Sequence, residues 1–99
     1  MKNGKEKVPV RDQKPQGLEV QAFPGALEGK FSNLVMIRHT HEEFVLDFLV
    51  QSGEGTYLIS RIWLTPSHFK RLVQAVQNNL SKYEQKFGTI RDSKDKQTT

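Results

Sequence analysis

Two mostly apolar runs, followed by one run at helical period, occupy the chain from residue 43 to residue 88. The first two runs, residues 43–50 and residues 57–64, are rich in aromatic and aliphatic residues and flank a short glycine-containing segment, which is typical of strands. The short polar segment Ser52–Gly55 between them contains two glycines and suits a tight turn. Together these segments predict an antiparallel hairpin.

The register of this hairpin follows from the turn and from one pair of charges. With the turn centred at Glu54, Asp47 lies directly opposite Arg61, as a cross-strand ion pair requires. A shift of one residue would separate the two charges, so they support this register. One face then carries a mostly apolar set: Phe44, Leu46, Phe48, Val50, Leu58, Ser60, Ile62 and Leu64. The opposite face carries a second apolar set: Val45, Leu49, Tyr57, Ile59 and Trp63.

A single long helix is predicted after the hairpin. Thr65 is a preferred N-cap residue, Pro66 is favoured at the first helical position, and Gly88 is a favoured residue just past the helix end. Apolar residues recur between them in one stripe: Phe69, Leu72, Val73, Val76, Leu80, Tyr83 and Phe87. This spacing predicts an amphipathic helix about 33 Å long that packs on the Phe44 face of the hairpin.

The remaining signals complete the predicted fold. Residues 31–39 read as a further strand, joined to the hairpin by the polar segment 39–43, and residues 17–23 give a weak strand signal that Pro24 ends. We therefore expect an α+β fold: an antiparallel meander of three or four strands with one long C-terminal helix packed on one face.

Composition divides the chain into a folded centre and two tails. Residues 1–16 and 89–99 lack the apolar density that offsets ordering entropy, so both are predicted to be disordered around a single domain at residues 17–88. The net charge is +4, of which only +1 lies within residues 31–88. The sequence contains no cysteine, no secretory signal after Met1 and no apolar run long enough to span a bilayer. These features favour a cytoplasmic protein that does not enter a membrane.

A family resemblance rests on residues spread over positions 29–88. The matching residues are Asn33, Glu43, Phe44, Asp47, Phe48, Ser60, Arg61, Ile62, Thr65, Pro66, Lys70, Leu72, Asn79, Tyr83, Glu84, Phe87 and Gly88. In this string the chain resembles the family known as domain of unknown function 3467. The resemblance implies a small α+β domain without an assigned activity, and a longer loop than the short Ser52–Gly55 turn. In architecture alone, the predicted strands and long helix are also similar to the SecB export chaperones.

The second apolar face suggests self-association, because a monomer would leave it in water. We expect a homodimer whose interface contains the residues Tyr57, Ile59, Trp63, Val45 and Leu49. Asp47 and Arg61 are interpreted as a structural ion pair rather than a catalytic one, because no nucleophile or second carboxylate is placed beside them.

Three weaker hypotheses concern ligands. The histidines His39, His41 and His68 could approach one another at one end of the sheet and bind a metal, although turn histidines are common without one. The helix start offers a weak anion site at Thr65, Ser67, His68, Lys70 and Arg71. The aromatic residues Phe31, Tyr57 and Trp63 could stack nucleic-acid bases, but aromatic packing at a dimer interface is the simpler reading.

The leading functional hypothesis is a non-catalytic, homo-oligomeric module that binds an unidentified protein partner, without a cofactor. A first alternative is nucleic-acid binding through the basic tails and the sheet aromatics, which would be non-specific because the charge lies in the tails. A second alternative is a holdase chaperone similar to SecB. No catalytic constellation is present in the sequence, so we do not expect an enzyme.

Overall fold

The computed structural model of the chain describes the backbone of residues 8–9 and all of residues 17–92. These residues form five strands and one helix: β1 Val8–Pro9, β2 Gln21–Ala22, β3 Leu34–His39, β4 Phe44–Ser52, β5 Gly55–Leu64 and α1 Pro66–Phe87. They divide into two compact units, one up to Lys30 and one from Phe31 onward. The single domain at residues 17–88 stays a prediction, and the disorder predicted for most of residues 1–16 and for residues 93–99 lies outside the described residues.

The first unit contains a short antiparallel pairing. Val8 pairs with Ala22 and Pro9 pairs with Gln21, so β1 and β2 form a two-stranded ribbon. The weak strand signal at residues 17–23 therefore corresponds to a strand of two residues. Gly25 follows it at a φ of 87°, a left-handed conformation that favours glycine and turns the chain.

The second unit is built on a three-stranded antiparallel sheet in the order β3-β4-β5, with β4 in the centre. A strand, a hairpin and a C-terminal helix are thus present as predicted, and the α+β class is confirmed. β3 begins at Leu34, three residues later than expected, and Phe31 is exposed. The connection to β4 is closed by the backbone N–H of Thr40, which donates to the carbonyl of Glu43 at 3.0 Å.

Asn33 extends the sheet beyond the end of β3. Its side-chain amide donates to the carbonyl of Gln51 at 3.0 Å and accepts the Gln51 N–H at 2.8 Å. The hydroxyl of Ser32 donates to the carbonyl of Leu49 at 2.8 Å. The Leu49 carbonyl also accepts the backbone N–H of Asn33 at 3.1 Å, and the Asn33 side chain satisfies both backbone groups of Gln51 beyond the end of β3. Asn33 therefore has a structural role.

The pairing of β4 with β5 corrects the predicted register near the turn. From Phe44 to Phe48 the predicted pairs are present, including Asp47 opposite Arg61. A shift of one residue then follows, so that Leu49 pairs with Leu58 instead of Ile59, and Val50 pairs with Tyr57. Ile59 is the extra residue of this β-bulge, and the turn is consequently two residues long rather than three.

Gly55 has the backbone conformation that follows the two-residue turn. Its φ of 138° is available to glycine and strained for other residues, and an added Cβ would lie 3.2 Å from the Tyr57 hydroxyl. Ser52 pairs directly with Gly55, which leaves Gly53 and Glu54 as the two turn residues.

The helix has the predicted ends, but its contact with the sheet is short. The Thr65 hydroxyl accepts the N–H of His68 at 3.2 Å, and Gly88 ends the helix at a φ of 97°. Near the helix start, the ring of Phe69 stacks on that of Phe44 at 4.0 Å. No residue of α1 is buried, however, and the apolar stripe from Val73 onward is exposed.

The expected packing of α1 on the Phe44 face is therefore confined to the first turns of the helix. The reason lies in the connection, because Thr65 is the single residue between the end of β5 and the start of α1. A helix that folds back along its own sheet needs a loop of about two to six residues. With one residue available, the apolar residues of α1 that become half-buried are Phe69 and Leu72, both in its first two turns.

Candidate interaction surface

The buried charged group of the sheet is a carboxylate held by two arginines. Asp47 lies in the middle of β4 and is only 6% exposed. Arg61 binds both carboxylate oxygens, with its Nε 2.6 Å from Oδ1 and its Nη2 3.1 Å from Oδ2. Arg38 donates a further hydrogen bond from Nη2 to Oδ2 at 3.2 Å. Such paired, charge-assisted hydrogen bonds fix the geometry of the side chains as well as neutralising the charge.

The electrostatics of this cluster favour a permanent carboxylate. The hydrogen bond from Arg61 is the main cause that lowers the pKa of Asp47 below its usual range; burial opposes it, and Arg38 supports it. The same bond raises the pKa of Arg61. Because both partners of Asp47 are guanidinium groups, which do not release a proton at ordinary pH, this cluster has no group that can exchange a proton with it. It is suited to holding the sheet in register.

Arg38 was not predicted from the sequence. It pairs directly with Val45, while Met36 pairs with Asp47, so Arg38 reaches the carboxylate diagonally. The sequence does place Leu34, Met36 and Arg38 on one face of β3. Predicting the contact of Arg38 with Asp47 would also have required the register of β3 against β4.

The metal hypothesis gains no support from the described residues, in which no three His, Cys, Asp or Glu side chains are grouped as metal ligands would be. His39 packs beside the ring of Phe44, with ring centroids 5.2 Å apart. His41 is an exposed residue of the loop that joins β3 to β4.

The weak anion site is an ordinary helix start in this structure. Thr65 uses its hydroxyl to accept the N–H of His68, which occupies one of the free donors of the first turn. Ser67, Lys70 and Arg71 are exposed on the first two turns.

One apolar surface lies on the sheet, and we name it the Trp63 face. The strand pairing places these residues on it: Leu34, Met36, Arg38, Val45, Asp47, Leu49, Leu58, Arg61 and Trp63. Trp63 is 58% exposed, and Met36 and Leu58 are also exposed. Of the residues predicted for the interface, Val45, Leu49 and Trp63 share this face.

Tyr57 and Ile59 depart from that prediction because of the bulge. Tyr57 pairs with Val50 and so belongs to the Phe44 face, where its hydroxyl donates to the carbonyl of Glu54 at 3.1 Å. Ile59 is the unpaired bulge residue and is half-buried. The sequence missed Leu58, which takes the place on the Trp63 face that the regular register gave to Ile59.

A second apolar surface runs along α1. Its exposed members are Val73, Val76, Leu80, Tyr83 and Phe87. The rings of Tyr83 and Phe87 lie 4.9 Å apart, and the Lys86 ammonium sits 5.4 Å from the centroid of the Phe87 ring. A shallow groove beside Leu80 is lined only by residues of the same helix: Gln77, Leu80, Ser81, Glu84 and Gln85. Such a surface can hold the side chains of another helix or peptide.

No helix in the described part of the chain combines the length and apolar character needed to cross a membrane.

The fold and these surfaces define a small α+β domain with a charge cluster fixed in its sheet and apolar residues exposed on both sheet and helix. A family model described as "Protein of unknown function (DUF3467)" matches residues 1–92. The chain belongs to this family, and the match extends the resemblance beyond residues 29–88 at both ends. No curated protein and no solved structure matches the chain, so the similarity to SecB has no support.

Proposed function

We propose that this protein is a non-catalytic, homo-oligomeric module that binds another protein. The observation that carries the proposal is the number of large apolar side chains left exposed on two separate elements, the sheet and the helix. Monomeric proteins seldom expose contiguous apolar patches beyond a few hundred Å². Two such surfaces allow one contact between copies and a further contact with a partner.

The Trp63 face has the composition of a protein interface. Tryptophan and arginine are enriched where proteins bind each other, and here Trp63 stands beside Arg61 and Arg38 on one face. The arginine charges are already matched in part by Asp47, which lowers the cost of removing them from water. We expect Trp63 to be the main contact.

Sedimentation velocity of the full chain over a range of concentrations tests the self-association. The chain should form a species of about twice its mass of 11.4 kDa, and Trp63→Ala should weaken that association at least about tenfold. Ile62→Ala is the matched control, because Ile62 is exposed on the same strand but on the opposite face. Equal effects of the two substitutions would contradict a role for the Trp63 face.

Binding of another protein needs a separate test. An affinity-tagged full chain and its Trp63→Ala variant should be compared in pull-downs from native lysate, with Ile62→Ala as the control. A partner lost with Trp63→Ala and kept with Ile62→Ala supports the proposal. Identical partners for all three proteins would remove the Trp63 face from it.

A holdase function is the second candidate, favoured by the exposed apolar stripe of α1. A holdase should bind the dye ANS and suppress aggregation of an unfolded client at stoichiometric ratios. Failure of suppression while the chain remains folded would reject this candidate.

Nucleic-acid binding, if it occurs, is proposed to be driven by charge outside residues 31–88, where +3 of the net +4 lies. Counterion release would make such binding fall steeply with salt and independent of sequence. Sequence-selective binding that persists at about 200 mM salt would instead favour readout by the folded unit.

A further inference from the structure

The exposed stripe of α1 has the spacing of a coiled-coil seam. Phe69, Val73, Val76, Leu80, Tyr83 and Phe87 follow one another at alternating steps of four and three residues. This average of 3.5 residues is the period at which two helices pack along a continuous line of contact. We name these six residues the helix seam.

The seam exposes enough apolar surface to supply a large part of an interface. Leu80 is 46% exposed and Phe87 is 65% exposed, with Val76 and Tyr83 at similar values. At about 150–250 Å² for a full aromatic side chain and less for an aliphatic one, the seam exposes roughly 400–500 Å². That is about half of the roughly 800 Å² per partner in a standard interface, before the stems of the flanking long side chains are included.

We propose that the helix seam packs antiparallel against the same seam of a second copy of this chain. The pairing is centred on Asn78, which itself points away from the contact. It places Val76 against Leu80, Val73 against Tyr83, and Phe69 against Phe87, with each pair made twice by symmetry. The proposal rests on the proposed homo-oligomeric function and assigns one surface to it.

Charge complementarity selects the antiparallel orientation. Lys70, Gln77 and Glu84 occur at intervals of seven residues and so line one edge of the seam. In the antiparallel pair centred on Asn78, Lys70 and Glu84 of the other copy lie on the same edge of the seam, offset by two residues or about 3 Å along the axis, which is within reach of an ion pair. Gln77 lies close to its own counterpart in the same way. Within one helix, Lys70 and Glu84 are fourteen residues or about 21 Å apart, so they do not pair in a single copy. A parallel pair would keep the same separation and form no such bridge.

The packing of the helix against its sheet is compatible with this arrangement. The sheet covers only the first turns of α1, where Phe69 stacks on Phe44, and leaves the seam open from Val73 to Phe87. In the antiparallel pair, Phe87 of the second copy would extend the Phe44–Phe69 stack. The two sheets would stand at opposite ends of the helix pair, so the seam contact does not overlap the Trp63 contact and both can form in one homo-oligomer.

Charge reversal in the full chain tests the orientation. Lys70→Glu and Glu84→Lys should each raise the dissociation constant of the dimer about five- to tenfold, because two symmetric attractions become repulsions. The double variant K70E/E84K restores opposite charges and should return to within about twofold of the parent. Lys82→Glu, on the outer side of the helix, is the control and should have little effect.

Restoration by the double variant is the decisive result, because Glu84 also has a role within one chain. Its carboxylate accepts the N–H of Ile90 at 2.9 Å, so E84K alone disturbs the helix end as well. A structural loss of this kind would remain in the double variant. Singles without effect, or a double variant as weak as its singles, would overturn the antiparallel seam.

Two further measurements separate this proposal from the broader one. Because the chain contains no cysteine, Gln77→Cys introduces a unique thiol at the centre of the proposed pair, and a short bismaleimide should join two copies. Asn78→Cys, one residue away on the outer face, should give far less product. If neither charge nor crosslinking behaves as expected but Trp63→Ala still weakens association, the seam is rejected and the proposed function stands. A chain that is monomeric at every concentration rejects the seam and the homo-oligomeric part of the function together.

Discussion

Two leucine-to-alanine substitutions report whether the helix stripe is covered within one chain. Leu46 lies in the central strand and is 5% exposed, whereas Leu80 lies in α1 and is 46% exposed. The chemical change is identical at both sites, so the difference in stability depends on packing. Both variants should be compared at low protein concentration, where contacts between copies contribute least.

The structure predicts very different costs at the two sites. Leu46→Ala removes a buried side chain and should lower the free energy of unfolding by about 2–4 kcal/mol, the usual range for a truncation that leaves a cavity. Leu80→Ala removes a side chain that is already half in water and introduces the best helix former. Its cost should therefore be under about 0.5 kcal/mol.

Urea unfolding followed by circular dichroism measures both costs. For a domain of this size, each 1 kcal/mol corresponds to a shift of about 4–8 °C in Tm, so thermal melts give an independent check. Raising the protein concentration should make Leu80→Ala more costly if the helix seam joins two copies. A loss at Leu80 equal to that at Leu46 in the dilute sample would show that α1 packs on its own sheet, and would refute the account of its exposed stripe.

Two further substitutions test the sheet and the helix cap. Asp47→Asn should destabilise the chain, and a double-mutant cycle should show stronger coupling of Asp47 to Arg61 than to Arg38, because only Arg61 binds both carboxylate oxygens. Since Arg61 lowers the pKa of Asp47, the stabilisation is present above the unfolded pKa of about 3.9 and is lost as the pH falls through the lower folded value. In Asp47→Asn, the urea concentration at the midpoint of unfolding should therefore fall less steeply at acid pH than in the parent chain. An unchanged pH dependence would contradict this. Thr65→Ala should cost about 1 kcal/mol in urea unfolding by leaving the His68 N–H without its cap, and Thr65→Ser should retain most of that stability.

The hairpin shows what a sequence can predict about a sheet and where it stops. The opposite charges of Asp47 and Arg61 correctly indicated the register at the centre of the strands. The segment Ser52–Gly55 is compatible with a two-residue turn at Gly53 and Glu54, and also with a three-residue turn that includes Gly55. Glycine fits the backbone conformations of both turns. In a regular ladder, a two-residue turn would place Asp47 one residue away from its position opposite Arg61. The extra residue Ile59 in the bulge restores the pairing of Asp47 with Arg61. Nothing in local propensity marks Ile59 as the extra residue, since isoleucine is an ordinary strand former.

The helix shows a different limit. Its ends were predictable because Thr65, Pro66 and Gly88 each satisfy a local requirement of the backbone. The surface that packs against the helix was not predictable, because the spacing of an apolar stripe does not identify the element or chain that it contacts. The decisive fact is the one-residue connection between β5 and α1, which limits how far the helix folds back.

The Trp63 face and the helix seam have a common explanation in the small size of the domain. A domain of this size buries too little surface for ample stability on its own, so contacts between copies would supply part of what the core lacks. The central strand β4 is well covered, since Val45, Leu46 and Asp47 are buried on two faces of the same sheet. Strand β5 and helix α1 are less well covered, and they leave Trp63 and the helix seam exposed to water. If the seam pairs two copies, the stability of the helix depends on protein concentration. Hydrogen exchange in α1 beyond Val73 should then slow as the concentration rises, and by more than any slowing in β4 that follows from the higher global stability.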